Sequence, residues 1–188
     1  MPAPTAKSSG SLLYTYSKDK FCHLAAQLPS YNVTVELVGI FFSEANSTAR
    51  VLERYYFDRL HTSWLAISDN VSIGVGLGQA SRDLVYFPAL LFQVLAVALQ
   101  YLPPDTTSAR DLELKDSVTC DKLSQRYSML SVEIMALLGR HDSALTAVQN
   151  DLVRALWLKN CSRGTEAWYV LGDAIRSVHS LRSGKKHA

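Results

Sequence analysis

The sequence predicts an all-α fold, an irregular bundle of about six to seven helices. Three observations predict it. Apolar residues recur at three- and four-residue spacing in segment after segment. Proline, glycine and capping residues punctuate those segments. One uncharged run, residues 84–102, is apolar all round, as the central helix of such a bundle is. With 188 residues, 48% of them hydrophobic, the chain fits one domain or part of a larger one.

In chain order, residues 1–27 read as a polar lead-in and a short helix. Phe21, Leu24, Ala25 and Leu28 lie on one face before Pro29 breaks the segment. A helix over 34–44 follows, with Val35, Val38, Phe41 and Phe42 inward. Asn46-Ser47-Thr48 is expected to turn the chain and cap a helix over 49–65, whose stripe is Leu52, Tyr56, Leu60 and Trp64. Residues 68–82 read as a loop. Its Gly74, Gly76 and Gly78 match neither phosphate-binding pattern, so a mobile connection is expected there.

The run from Leu84 to Leu102 is nearly long enough to cross a bilayer. Gln93, Gln100 and Pro88 interrupt it and it lacks a basic flank, so a buried core helix is expected. Pro88 is placed near the first turn, where its missing donor costs little. Residues 105–116 read as a loop or frayed helix start. A helix over 118–138 carries Leu123, Tyr127, Leu130, Ile134 and Leu137, and Gly139 is placed to end it. Asp142 or Ser143 should cap a helix over 145–159 with Leu145, Val148, Leu152 and Leu156 inward. The last helix runs from Cys161 to Leu181. Thr165 is expected to cap it, and Glu166 faces the positive end of its dipole. Trp168, Leu171, Ile175 and Val178 form its apolar stripe, with Gly172 and Ala174 small beside it.

Nothing in the chain reads as catalysis. The five histidines are scattered, no serine sits in a G-x-S-x-G elbow, and Cys22, Cys120 and Cys161 are far apart. Neither a zinc site nor a disulfide framework is expected from such spacing. The net charge of +2 gives no strong drive toward nucleic acid. The N-terminus lacks the apolar core of a signal peptide, so the N-x-S/T triplets at Asn32, Asn46, Asn70 and Asn160 are not expected to be glycosylated.

The segment E-A-W-x-x-L-G-x-A-I-R, carried by Ala167, Trp168, Leu171, Gly172, Ala174, Ile175 and Arg176, resembles the signature helix of the regulatory, or middle homology, domain of fungal zinc-cluster transcription factors. Leu28, Pro29, Leu37, Phe41, Phe42, Asn46 and Phe57 resemble that domain's opening. Ala144, Val148, Gln149, Leu152, Ala155 and Trp157 match the spacing that precedes the signature. The resemblance covers residues 28–181 and leaves 182–188 as a basic tail. After Val178 the sequence departs from the family pattern, so the domain is expected to be incomplete at its C-terminus, with apolar faces left unpartnered.

The resemblance implies a nuclear protein that controls RNA polymerase II transcription and is not an enzyme. It implies partners in the transcription machinery or among co-regulators, and possible control by a small effector. DNA and zinc would be bound by a separate segment, with no cofactor in this chain. A membrane is not an expected partner. The alternative is a small helical protein anchored in a membrane through 84–102. An effector pocket, if the aromatic cluster makes one, would involve Tyr55, Tyr56, Phe57, Trp64, Tyr86 and Phe87.

Overall fold

The computed structural model describes residues 18–72, 80–114, 116–139 and 144–184. The glycines at 74, 76 and 78 and the candidate caps Asp142 and Ser143 lie outside them, as do residues 1–17 and 185–188. The all-α expectation holds: every regular element among the described residues is helical. Residues 18–25 form α1. Then come α2 (Tyr31–Ile40), a π-helical segment (Phe41–Ala45) and α3 (Asn46–Ala49), which run on from one another. The later helices are α4 (Arg54–Ser72), α5 (Arg82–Leu99), α6 (Thr107–Asp111), α7 (Ser117–Leu138), α8 (Leu145–Asn160) and α9 (Gly164–Gly184).

Helix α5 is the axis. It packs against α2, the π-helical segment, α4, α7 and α8. From Tyr86 to Leu99 every side chain is buried. The membrane alternative fails on this packing, because protein surrounds the apolar run and leaves lipid no face. Ser81 caps α5, its hydroxyl accepting from the Leu84 N–H at 3.3 Å. The helix therefore starts at Arg82, and Pro88 falls in its second turn, not its first. One rung of the ladder, to the carbonyl of Leu84, is lost there. Burial on all sides holds the helix across that gap.

The first helix of the resemblance does not turn at Asn46. It continues through the π-helical segment to Ala49, and the chain reverses at Arg50, which sits in the left-handed region at φ 50°. Asn46 still makes the turn possible. Its Oδ1 accepts from the N–H groups of Val51 (3.0 Å) and Leu52 (2.9 Å), and its Nδ2 donates to the Leu52 carbonyl at 2.9 Å. One side chain thus satisfies three backbone groups that the reversal would orphan. Glu53 caps α4, accepting from the N–H groups of Tyr55 and Tyr56. The buried face of α2 is Val33, Thr34, Leu37 and Val38, and Val35 points outward.

Of the two readings for residues 105–116, loop or helix start, the segment takes a short helix at Thr107–Asp111. Thr106 caps the short α6, and Glu36 reaches from α2 to accept from both the N–H (2.9 Å) and the hydroxyl (2.7 Å) of buried Ser108. On α7, Tyr127, Leu130 and Ile134 are buried, as their periodicity predicts. Gly139 ends the helix at φ 72°, a conformation that favours glycine.

Serines 124, 128 and 131 are buried too, and they face α5 and α8. Ser124 donates to the Ala96 carbonyl at 2.6 Å, Ser128 to Gln93 Oε1 at 3.2 Å, and Ser131 to Asn150 Oδ1 at 2.8 Å. Small hydroxyls let α7 approach α5 closely while satisfying buried acceptors. Gln93 is fully buried, and its Nε2 has no hydrogen-bond partner among the described residues.

Candidate functional site

The aromatic residues of α4 and α5 gather, though not as one pocket. Phe57 sits 5.3 Å from Phe87 and 5.4 Å from Phe42, between ring centroids. These are core contacts, and Phe57 and Phe87 are fully buried. Tyr86 is a tether whose hydroxyl donates to the Gly139 carbonyl at 2.7 Å. Tyr56 donates to Asp83 Oδ2 at 3.0 Å. Burial and the Asp83 carboxylate push the Tyr56 phenol up from its ordinary range. Tyr55 points to solvent beneath Arg59. Of the six residues proposed for an effector pocket, Trp64 alone lines the cavity beside them.

That cavity measures about 290 Å³ and lies between α1, the turn after it, α2, α4 and α5. Trp64 and Leu91 form its buried floor, and Phe21 meets the Trp64 indole edge-on at 6.4 Å. Tyr31 and Leu65, both exposed, stand at its rim. His61 lines it as well, one turn before Trp64 on the same helix face. Its ring stacks on Tyr31 at 6.4 Å and lies 6.0 Å from Phe87. His61 goes unremarked among the scattered histidines of the sequence, although the F-x-x-x-H-x-x-W spacing of Phe57, His61 and Trp64 could have marked it, because i, i+4 and i+7 share a helix face.

Burial lowers the His61 pKa below its usual 6.5, with Arg54 adding to the effect and Asp58 opposing it. Tyr31 and Cys22, from α2 and α1, are the other titratable groups lining this cavity. The native ring is neutral, so stability is full above about pH 6.5 and falls as pH drops through the lowered native value. The melting temperature is expected to fall between pH 7.5 and 5.5 at constant salt. A His61→Gln variant is expected to flatten that part of the profile.

The signature helix does not bury its stripe. Trp168 is 74% exposed, Ile175 52% and Val178 45%, and Leu171 is half-buried. The face that packs on α8 carries Val170 and Ala174, with Ala167 partly buried beside them. The short turn from α8, with Ser162 at φ 60°, fixes which face of α9 docks, and the small Ala174 allows a close approach. Gly172 does not receive a neighbouring helix: a side chain there would meet only the Arg176 guanidinium at 3.5 Å. Arg176 pairs with Asp173 across that gap. Thr165 lies inside the first turn of α9 and is not its cap. Glu166 does lie in that turn and is held by Arg163 through two bonds of 2.6 Å. Trp168→Ala is therefore expected to change stability by less than about 0.5 kcal/mol in urea unfolding.

The thiols are not poised for chemistry. Burial raises all three thiols, Cys22, Cys120 and Cys161, away from the reactive thiolate. Cys120 donates to the Leu99 carbonyl at 3.0 Å, and Cys161 accepts from Gln100. No cluster of three metal-ligating side chains occurs among the described residues. A polar cleft of about 760 Å³ near the ends of α5 and α8 has walls whose amides bond one another: Asn160 donates to Gln100 and Tyr101, and Gln100 to the Trp157 carbonyl. The arrangement can bind and pack. Among the described residues no cysteine is hydrogen-bonded to an activating base.

No curated protein and no solved structure was found to match the chain. The family model described as the fungal specific transcription factor domain matches residues 38–188, which is most of the sequence. That span takes in the Asn46 turn, the buried axis α5 and the signature helix α9, so the chain belongs to the fungal specific transcription factor domain family.

Proposed function

We propose that this chain is the control region of a nuclear regulator of RNA polymerase II transcription, working by binding and packing and not by catalysis. The observation that carries this is the family match across 38–188. In this reading DNA and zinc are held by a separate segment, and no cofactor belongs to these residues. The outward face of α9 is the contact surface for an amphipathic helix of a co-regulator. Trp168, Tyr169 and Ile175 supply it, on a helix anchored through Val170 and Ala174. Their exposed area is on the order of 500 Å². That is short of the roughly 800 Å² per partner that a stable complex of two copies buries. A reversible helix-on-helix contact suits that size.

The chain is to be fused to an unrelated DNA-binding module upstream of a reporter gene in yeast. The fusion is expected to enter the nucleus and to change reporter output several-fold. A Trp168→Ser/Ile175→Ser variant is expected to lose that effect at an unchanged melting temperature. An inert nuclear fusion, or a variant as active as the parent, overturns the proposal.

A further inference from the structure

We infer that the cavity between α1, α2, α4 and α5 is a binding site for a small, neutral, flat apolar molecule bearing one hydroxyl group, which His61 receives. The inference rests on the control-region reading for its purpose and on the cavity alone for its chemistry.

The wall chemistry selects the ligand. None of the side chains lining the cavity carries a charge when His61 is neutral, so a charged ligand would lose its hydration without a partner. Trp64, Leu91 and Ala25 give a buried apolar floor. A slot of about 290 Å³ is at the small end of ligand pockets, sized for one or two fused rings. The Tyr31 and Leu65 rim is exposed, so the slot opens to solvent.

His61 supplies direction. Its ring is held by Tyr31, Phe57 and Phe87, yet its nitrogens bond no other described residue. A neutral imidazole has one nitrogen that accepts and one that donates. Held against an apolar floor, it would take a ligand hydroxyl as acceptor while the rings pack on Trp64. A ligand seated there touches α2, α4 and α5 together, so it ties the front of the domain to its axis.

The probe is 2-naphthol, with naphthalene as the control that lacks the hydroxyl. Both are titrated into the full chain carrying ¹⁵N-labelled histidine. Saturable binding of 2-naphthol that shifts the His61 ring nitrogens is expected. His61→Phe keeps the flat ring and removes the acceptor. It is expected to cut the preference for 2-naphthol over naphthalene by about tenfold. Ala25→Phe, which fills the slot, is expected to abolish binding of both. No shift of the His61 signals at millimolar 2-naphthol overturns the site, as does a preference for 2-naphthol that His61→Phe leaves unchanged. The reporter fusion separates the two proposals. An active fusion whose chain binds no probe removes the site alone, and a chain that binds 2-naphthol in an inert fusion removes the control-region reading alone.

Discussion

Trp157→Ala is expected to lower the stability of this chain by about 3–5 kcal/mol, the range for truncating a buried indole in a core that cannot collapse onto the gap. The ring is 5% exposed. Its Nε1 donates to Ser124 Oγ at 2.9 Å, and that hydroxyl donates in turn to the Ala96 carbonyl at 2.6 Å. One indole thus links α8, α7 and α5. Arg163 lies 5.9 Å from its ring centroid on the outer side. In thermal unfolding the loss corresponds to a fall on the order of 10 °C for a chain of this size. Trp157→Phe keeps most of the packing and loses the donor, so about 1–2 kcal/mol is expected. Ser124→Ala removes the other half of the bond. A double-mutant cycle between these two is expected to show coupling, since they share one contact. Equal midpoints for Trp157→Ala and Trp168→Ala in urea would refute this assignment of the core indole.

The contrast between the two indoles shows what a sequence can and cannot carry. Both recur at helical spacing among apolar residues, and periodicity placed the core on Trp168. Periodicity names the inward face only when a helix has one apolar face. On α9 two faces are apolar, and the turn from α8 decides between them. The same limit acts on α8. It packs against both α5 and α9, so its buried set includes Thr146, Asn150, Asp151 and Val153 as well as Val148, whereas Leu145 is exposed. The central helix was legible because it has no polar face to misplace. Tyr127, Leu130, Ile134 and Gly139 were legible because α7 carries one clean stripe and a glycine stop.

Other features were hidden for a different reason. Ser124, Ser128 and Ser131 drew no reading from the sequence, because a serine is small enough to be buried once its hydroxyl finds an acceptor on another helix. No local rule links them to Gln93 or Asn150 on other helices. The candidate site was half legible. Phe57, His61 and Trp64 share a readable face, but the α1 and α2 walls that make it a cavity belong to tertiary structure.

Asp83 is the second position where a large effect is expected, and it is also one that local rules could not supply. Helix α8 starts at Leu145, and the residue before it, Ala144, has no side chain able to cap it. The cap comes from α5. Asp83 Oδ1 accepts from both the N–H and the hydroxyl of buried Thr146, each at 3.0 Å, while Oδ2 accepts from the Tyr56 hydroxyl at 3.0 Å. The carboxylate also lies in the first turn of its own helix. It therefore meets the positive ends of two helix dipoles and ties α4, α5 and α8 together. Asp83→Ala leaves the Thr146 donors and the Tyr56 hydroxyl without that acceptor, at an expected cost of about 2–4 kcal/mol. Asp83→Asn keeps the shape and one acceptor oxygen but loses the charge, so a cost of about 1 kcal/mol is expected. Hydrogen exchange distinguishes a lost cap from general loosening. The Thr146 amide is expected to exchange faster in Asp83→Ala by more than the global stability loss explains, while amides at the centre of α5 follow the global loss alone. Equal stability for the alanine and asparagine variants would mean that the acceptor oxygen asparagine keeps does nothing to hold the start of α8 in place.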